Sequence, residues 1–136
     1  MHKFGTKLFL SLSQIRSIII PAKTSFKEAI NVIDIGGLQV VLVVDESSKL
    51  IGLITDGDLR RAVLGGVKLS DCVEVVVKKD FCSIRSVDLK KDLPVDKLRL
   101  YTHIPVLSED GKIVGLLVEK HMRLRDSDVA KKNDTP

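Results

Sequence analysis

Residues 40–55 read VVLVVDESSKLIGLIT, and residues 104–118 read IPVLSEDGKIVGLLV. In each, an apolar run enters a short polar turn and leaves as a second apolar run, the pattern of a two-stranded hairpin. Gly115 lies 63 positions after Gly52, and the same spacing pairs Lys112 with Lys49, Glu109 with Glu46 and Val106 with Val43. An ungapped match of this kind in a chain of 136 residues marks an internal repeat. A repeat constrains the fold more than any single motif does.

A helical segment precedes each hairpin. Ser25-Phe26-Lys27-Glu28 has the S-x-x-E spacing of a capping box, and Phe26, Ala29, Ile30 and Ile33 follow at the i, i+3, i+4, i+7 positions of one helix face. Gly36-Gly37 supplies the left-handed stop. Arg16 to Ile20 reads as a short strand ended by Pro21. In the second copy Phe81 to Ile84 is the matching strand, and a helix is expected between Asp88 and Leu100, begun or kinked by Pro94. Each unit is then strand, helix, strand, strand, helix. The fold class is a mixed α/β (α+β) arrangement of two pseudo-symmetric units. The first takes residues 1–68 with the N-terminal segment, the second and more degenerate takes 69–126, and 127–136 form a polar tail or linker.

Composition narrows the function. With 44% hydrophobic and 29% charged residues the chain is neither disordered nor membrane-like, and no segment approaches the ~20 apolar residues a bilayer span needs. Lys3, Lys7 and Leu8-Phe9-Leu10 carry a trace of a signal peptide, but Ser11, Ser13, Gln14 and Arg16 break it and no cleavage site follows. A cytoplasmic location is expected. The net charge of +4 is spread over Lys90-Lys91, Lys97 to Arg99, Lys120 to Arg125 and Lys131-Lys132, with no Trp and one Tyr. Nucleic-acid binding needs a concentrated basic face and, for single strands, stacking platforms, so it is disfavoured. Cys72 and Cys82 are too few for a structural zinc site and read as reduced core thiols, although their spacing alone permits a disulfide.

Catalytic signatures are missing. There is no nucleophile elbow, HExxH, Walker loop or GxGxxG, and His2, His103 and His121 have no metal-binding spacing. The chain is read as non-enzymatic, with no catalytic residue, no metal site and no required cofactor. One segment carries chemical meaning, residues 52–61, GLITDGDLRR. A strand ends at Thr55 and a helix starts at once, running to Leu64 before Gly65-Gly66. Free N–H groups at such a terminus favour an anion. Thr55 offers a hydroxyl, Asp58 can accept from a ribose diol, and Arg60 or Arg61 can bring positive charge. The same Thr55-x-x-Asp58 is also a capping box, with no ligand implied. Both readings stand on the sequence.

The paired units, the Gly52-x-x-Thr55-x-x-Asp58 element and the His103-Ile104-Pro105-Val106 strand together resemble a tandem CBS-domain pair, or Bateman module, over about residues 16–123. The resemblance implies a nucleotide, commonly an adenosine derivative such as AMP, ADP or ATP, in a cleft between the repeats. It places phosphate at Thr55 and ribose at Asp58, with Arg61 nearby. It places the base among Val40, Val41, Cys82, Ser83, Ile84, Thr102 and His103. In the second repeat the same spacing puts Val118 for Thr55 and His121 for Asp58, so at most one well-formed site is expected. His121 and Arg123 read as a solvated helix face.

The stretch Thr55 to Gly66 with Gly37-Leu38-Gln39 is similar, more narrowly, to the N-terminal regulatory part of sugar-1-phosphate nucleotidyltransferases; sugar-phosphate isomerases carry a similar Thr-Asp-Gly-Asp-Leu-Arg-Arg. Lys131 to Pro136 look like the joint to a C-terminal catalytic domain. The expected function is regulation of such an enzyme through nucleotide binding, as a homodimer joined by helices. The alternative is a structural dimerisation module without nucleotide.

Overall fold

A computed structural model describes residues 7–91 and 95–119. The elements run β1 (Lys7–Ser11), α1 (Leu12–Ile15), β2 (Ile19–Pro21), α2 (Phe26–Gly36), β3 (Val40–Val44), β4 (Leu50–Thr55), α3 (Asp56–Leu64), β5 (Ile84–Arg85), α4 (Val95–Leu98), β6 (His103–Leu107) and β7 (Ile113–Glu119). They form two sheets, ordered β2-β3-β4 and β1-β7-β6-β5. The mixed α+β class and the duplicated architecture stand as the sequence implies.

The repeat persists in the hydrogen bonding. Val43 pairs with Gly52 and Val106 with Gly115, and each hairpin has its register irregularity one residue later, at Val44 and at Leu107. Asp45 N–H donates to the Lys49 carbonyl at 2.9 Å, and Ser108 N–H to the Lys112 carbonyl at 2.8 Å. The turn residues with positive φ are Ser48 (66°) and Gly111 (85°), again 63 apart. Where the second turn uses glycine, the first holds a serine in the left-handed region at some local cost. The two turns also touch, through the Leu50 N–H on the Gly111 carbonyl at 3.0 Å.

Alternation along the strands builds the layers. Val40 and Leu42 face one core with Leu10, Ile15, Ile18, Leu38, Leu116 and Val118, which lies between the two sheets. Val41 and Val43 face the other way, against Phe26, Ala29 and Ile33 of α2 and Leu59 of α3. Ile104, Val106 and Leu117 make a third cluster with Leu98. Buried on both faces, β3 has to be apolar throughout, as VVLVV is.

Residues 7–11, given no element from the sequence, form β1 and pair antiparallel with β7, Lys7 opposite Glu119, and three expectations are corrected besides. The buried Lys7 ammonium is ion-paired to that carboxylate. The N-terminal segment, first in the chain, therefore extends the second repeat's sheet. Arg16–Ile18 is a 3-10 turn, and the strand is only Ile19–Pro21. The second repeat's first strand is Ile84–Arg85 rather than Phe81 to Ile84. Ile30 is exposed at the margin of α2, whose buried face is Phe26, Ala29, Ile33 and Gly36. That helix is otherwise as read: the Ser25 hydroxyl accepts from the Glu28 N–H at 3.1 Å, and Gly37 closes it at φ 77°. In the window from Asp88 to Leu100 the helix is the short α4. Pro94, the helix expected after β7 with His121 and Arg123, and the tail 127–136 lie outside the described residues.

Candidate functional site

Gly52 sets the geometry at one end of the junction between the repeats. A Cβ there would meet the Lys78 carbonyl oxygen at 2.2 Å, because residues 77–78 lie directly on β4. Leu53 and Lys78 exchange both backbone hydrogen bonds, at 3.1 and 3.0 Å. This contact fixes the chain leading to β5 alongside the end of β4. A cleft of about 300 Å³ results, lined from the first repeat by Leu53, Thr55 and Asp58 and from the second by Lys78, Asp80, Phe81 and Cys82 and by the loop Leu100 to His103.

Thr55 and Asp58 make the full capping box. Asp58 N–H donates to Thr55 Oγ1 at 3.2 Å, and Thr55 N–H donates to Asp58 Oδ2 at 2.9 Å. The Asp56 N–H is also engaged, on the Gln39 carbonyl at 3.1 Å. The start of α3 is therefore not a full row of free donors: internal acceptors take the Asp56 and Asp58 N–H groups. Asp58 is 7% exposed, and its second oxygen, Oδ1, receives both Arg61 Nη2 at 2.9 Å and Lys78 Nζ at 3.0 Å. Burial alone would raise the Asp58 pKa. The Thr55 backbone bond, the Lys78 ammonium and the Thr55 hydroxyl outweigh it and hold the carboxyl below its ordinary value.

His103 closes the back of the cleft. Its Nε2 lies 2.7 Å from the Leu38 carbonyl and its Nδ1 3.0 Å from Thr102 Oγ1. A carbonyl only accepts, so Nε2 carries the proton and Nδ1 accepts from the threonine. Burial depresses the imidazole pKa, helped by the Lys7 charge; the Leu38 bond and Glu119 oppose it. The ring is a neutral hydrogen-bonded strut between the two repeats.

Of the residues named from sequence, Thr55, Asp58, Cys82, Thr102 and His103 converge on this cleft. Val40 and Val41 do not: both are wholly buried, one in each core that β3 separates, and present no surface to a base. Ile84 packs against the Leu98–Ile104 cluster, and Ser83 points to solvent outside the lining. Arg61 acts through Asp58 rather than lining the cleft. Leu53, Lys78, Asp80, Phe81, Leu100 and Tyr101 line it and were not read from the sequence. The aromatic pair had one available signal, its adjacency to Cys82 and Thr102. Lys78 had none, since only the antiparallel contact with Leu53 brings it there. Larger hollows, of about 760 and 580 Å³, lie along the outer side of α2 and beside Pro21 and Asp45. Both are lined from the first repeat and its outgoing segment, whereas the smaller cleft joins both repeats and holds the buried carboxylate. Among the described residues no group of three or more His, Cys, Asp or Glu is placed to hold a metal ion, and both cysteines are half-buried free thiols.

Residues 12–65 match the family model of the CBS domain, a span that takes in Thr55 and Asp58. Over 124 residues the chain is 32% identical to protein RP505 of Rickettsia prowazekii, covering 85% of this chain and 38% of that protein. Over 98 residues it is 34% identical to the arabinose 5-phosphate isomerase GutQ of Salmonella typhi, covering 69% of this chain and 30% of the isomerase. The matched stretch is thus about a third of the length of these relatives. In structure, the CBS domain pair of protein MJ0100, solved with 5′-methylthioadenosine and S-adenosyl-L-methionine, superposes with a TM-score of 0.60 at 20% identity over 86% of this chain and 87% of that one. The protein CbpB in complex with c-di-AMP gives 0.61 at 16% identity over 85% and 76%. The described residues have the fold of a CBS-domain pair.

Proposed function

We propose that the chain is a regulatory module that binds one adenine nucleotide, AMP, ADP, ATP or a related adenosine derivative, in the cleft between its repeats. The observation that carries this reading is the convergence of Thr55 and the buried Asp58 with Phe81 and Tyr101 on a single inter-repeat cleft. The carboxylate suits a ribose diol, the threonine hydroxyl a phosphate, and the aromatic and leucine side chains a purine face. The adenosine compounds bound in two similarly folded proteins support the ligand class. A ligand that prefers one packing of the repeats shifts that packing, and an attached enzyme with it.

In this reading residues 1–68 hold the first repeat with the N-terminal segment that pairs with β7, 69–126 hold the second, and 127–136 are the polar joint to a sugar-phosphate enzyme. The Thr55 to Gly66 stretch favours a nucleotidyltransferase, and the relationship to GutQ favours an isomerase. No helix among the described residues is long and apolar enough to cross a membrane, and a cytoplasmic site of action belongs to the same proposal.

Calorimetric titration with AMP, ADP and ATP tests it directly: saturable binding at one site per chain is expected, abolished by Asp58→Ala. The reading fails if none of them gives heat or a thermal shift. One observation favours a dimerisation role beside it. Ile30 and Ile35 on α2 and Leu64 and Leu69 at and beyond the end of α3 are exposed, a set of apolar side chains suited to helix-mediated self-association. Sedimentation of the wild type and of Ile35→Glu, Leu64→Glu separates the roles, since assembly is lost there with nucleotide binding intact.

A further inference from the structure

The charges around Asp58 imply a choice among adenosine ligands. Both Arg61 and Lys78 reach the same carboxylate oxygen, so one acid is served by two cations while its other oxygen is bound to the Thr55 N–H. The two cationic side chains are well exposed, and the acid is not. In the free protein the acceptor that a ribose diol needs is thus already taken. Most of the N–H groups that a phosphate would seek around the start of α3 are occupied as well, that of Asp56 by Gln39, that of Asp58 by Thr55 and that of Thr55 by Asp58. Asp80, two residues beyond Lys78, adds a second carboxylate to the lining. An uncharged nucleoside meets a site whose charges satisfy one another and has nothing to offer either cation. A phosphate offers Lys78 a replacement anion, at similar cost in desolvation and with a charge-assisted bond in return.

We infer that Lys78 is the specificity-determining residue of the cleft, exchanging Asp58 for the ligand's phosphate, so that the site takes a phosphorylated nucleotide in preference to an uncharged or sulfonium adenosine compound. The inference rests on the nucleotide reading above and deepens it. The Lys78 backbone is pinned on Leu53 by two hydrogen bonds while its side chain, ion-paired to Asp58, is 61% exposed, the arrangement a switching side chain needs. When Lys78 moves to phosphate, Oδ1 of Asp58 keeps Arg61 and gains room for a hydroxyl donor, so phosphate and ribose recognition become coupled.

The test is a comparison of AMP, adenosine and S-adenosylmethionine on the full chain by calorimetry, for wild type, Lys78→Gln and Lys78→Arg. Wild type is expected to bind AMP at least about tenfold more tightly than adenosine, the scale of one charge-assisted contact. Lys78→Gln should bring the affinity ratio of AMP to adenosine close to one, and Lys78→Arg should retain the preference; cooperative melting of both variants shows that both fold. Equal affinity for AMP and adenosine in the wild type, tighter binding of the sulfonium compound, or an unchanged ratio in Lys78→Gln overturns the inference while leaving a nucleoside site in place. Failure of all three ligands to bind overturns both.

Discussion

The two junctions between the repeats are related by the same spacing of 63, yet one is open and the other sealed. Leu53, Thr55, Tyr101 and His103 line the cleft; their counterparts are Leu116, Val118, Leu38 and Val40, all wholly buried in one cluster with Ile15 and Ile18. Burial of each such side chain contributes about 1.5–3 kcal/mol relative to exposure, so the sealed junction holds the repeats together and the open one is spared that task. The two are physically linked. His103 of the open side donates to the carbonyl of Leu38 on the sealed side, and a shift in one packing is felt in the other. Duplication with apolar drift on one side gives a fold that is symmetric in backbone and asymmetric in chemistry.

The hardest test of this contrast is truncation at paired positions. Leu38→Ala should cost about 2–5 kcal/mol in urea unfolding, as a fully buried leucine does, whereas Tyr101→Ala, at 39% exposed, should stay within about 1 kcal/mol and weaken nucleotide binding instead. Comparable losses of stability would erase the distinction. The paired glycines sharpen it next. Gly52→Ala drives a Cβ into the Lys78 backbone, and about 1–3 kcal/mol of overpacking is expected together with loss of the cleft's wall. At Gly115→Ala the Phe9 ring can move aside, but the Leu10 carbonyl at 2.8 Å still forces a small shift of β1; thermal melts should show a smaller loss than at Gly52, where the backbone itself is the nearest obstacle. Rebuilding the missing hydroxyl in the sealed junction should fail: Val118→Thr buries a polar group, costs about 1–3 kcal/mol and leaves nucleotide stoichiometry unchanged.

The smallest effect is on pH. The folded His103 pKa lies below its ordinary value of 6.5, so the unfolded chain binds more protons in that range. The stabilisation is complete above 6.5 and is lost as pH falls through the folded value. Melting temperatures of wild type and His103→Gln should therefore converge on acidification from neutral pH. Asp58 has the same sign at lower pH. Its contribution is present above 3.8 and declines as pH drops through its depressed pKa.

Much of the fold was legible because it is local. The two hairpins, α2 with its Ser25 cap and Gly37 stop, and the Thr55–Asp58 box all follow from side chains within a few residues of one another. The departures are where partners lie far apart. Nothing in Lys7–Ser11 names β7 as its neighbour over a hundred residues later, and Arg16–Ile18 has a strand's composition but turns as a 3-10 segment. For the site, Thr55 and Asp58 came from their spacing. Val40 and Val41 came from the resemblance, which sets the strand after α2 beside the base; here both faces of the sheet cover their side chains.

Sequence alone determined the duplication, the turn chemistry and the loss of the threonine–aspartate pair from the second copy, since identity and spacing carry all three. Tertiary structure decided which junction stays open, that Lys78 joins Arg61 on Asp58, and that Gln39 takes the first N–H of α3. Those outcomes depend on packing between residues distant in the chain, and periodicity along one segment does not encode what will be laid across it.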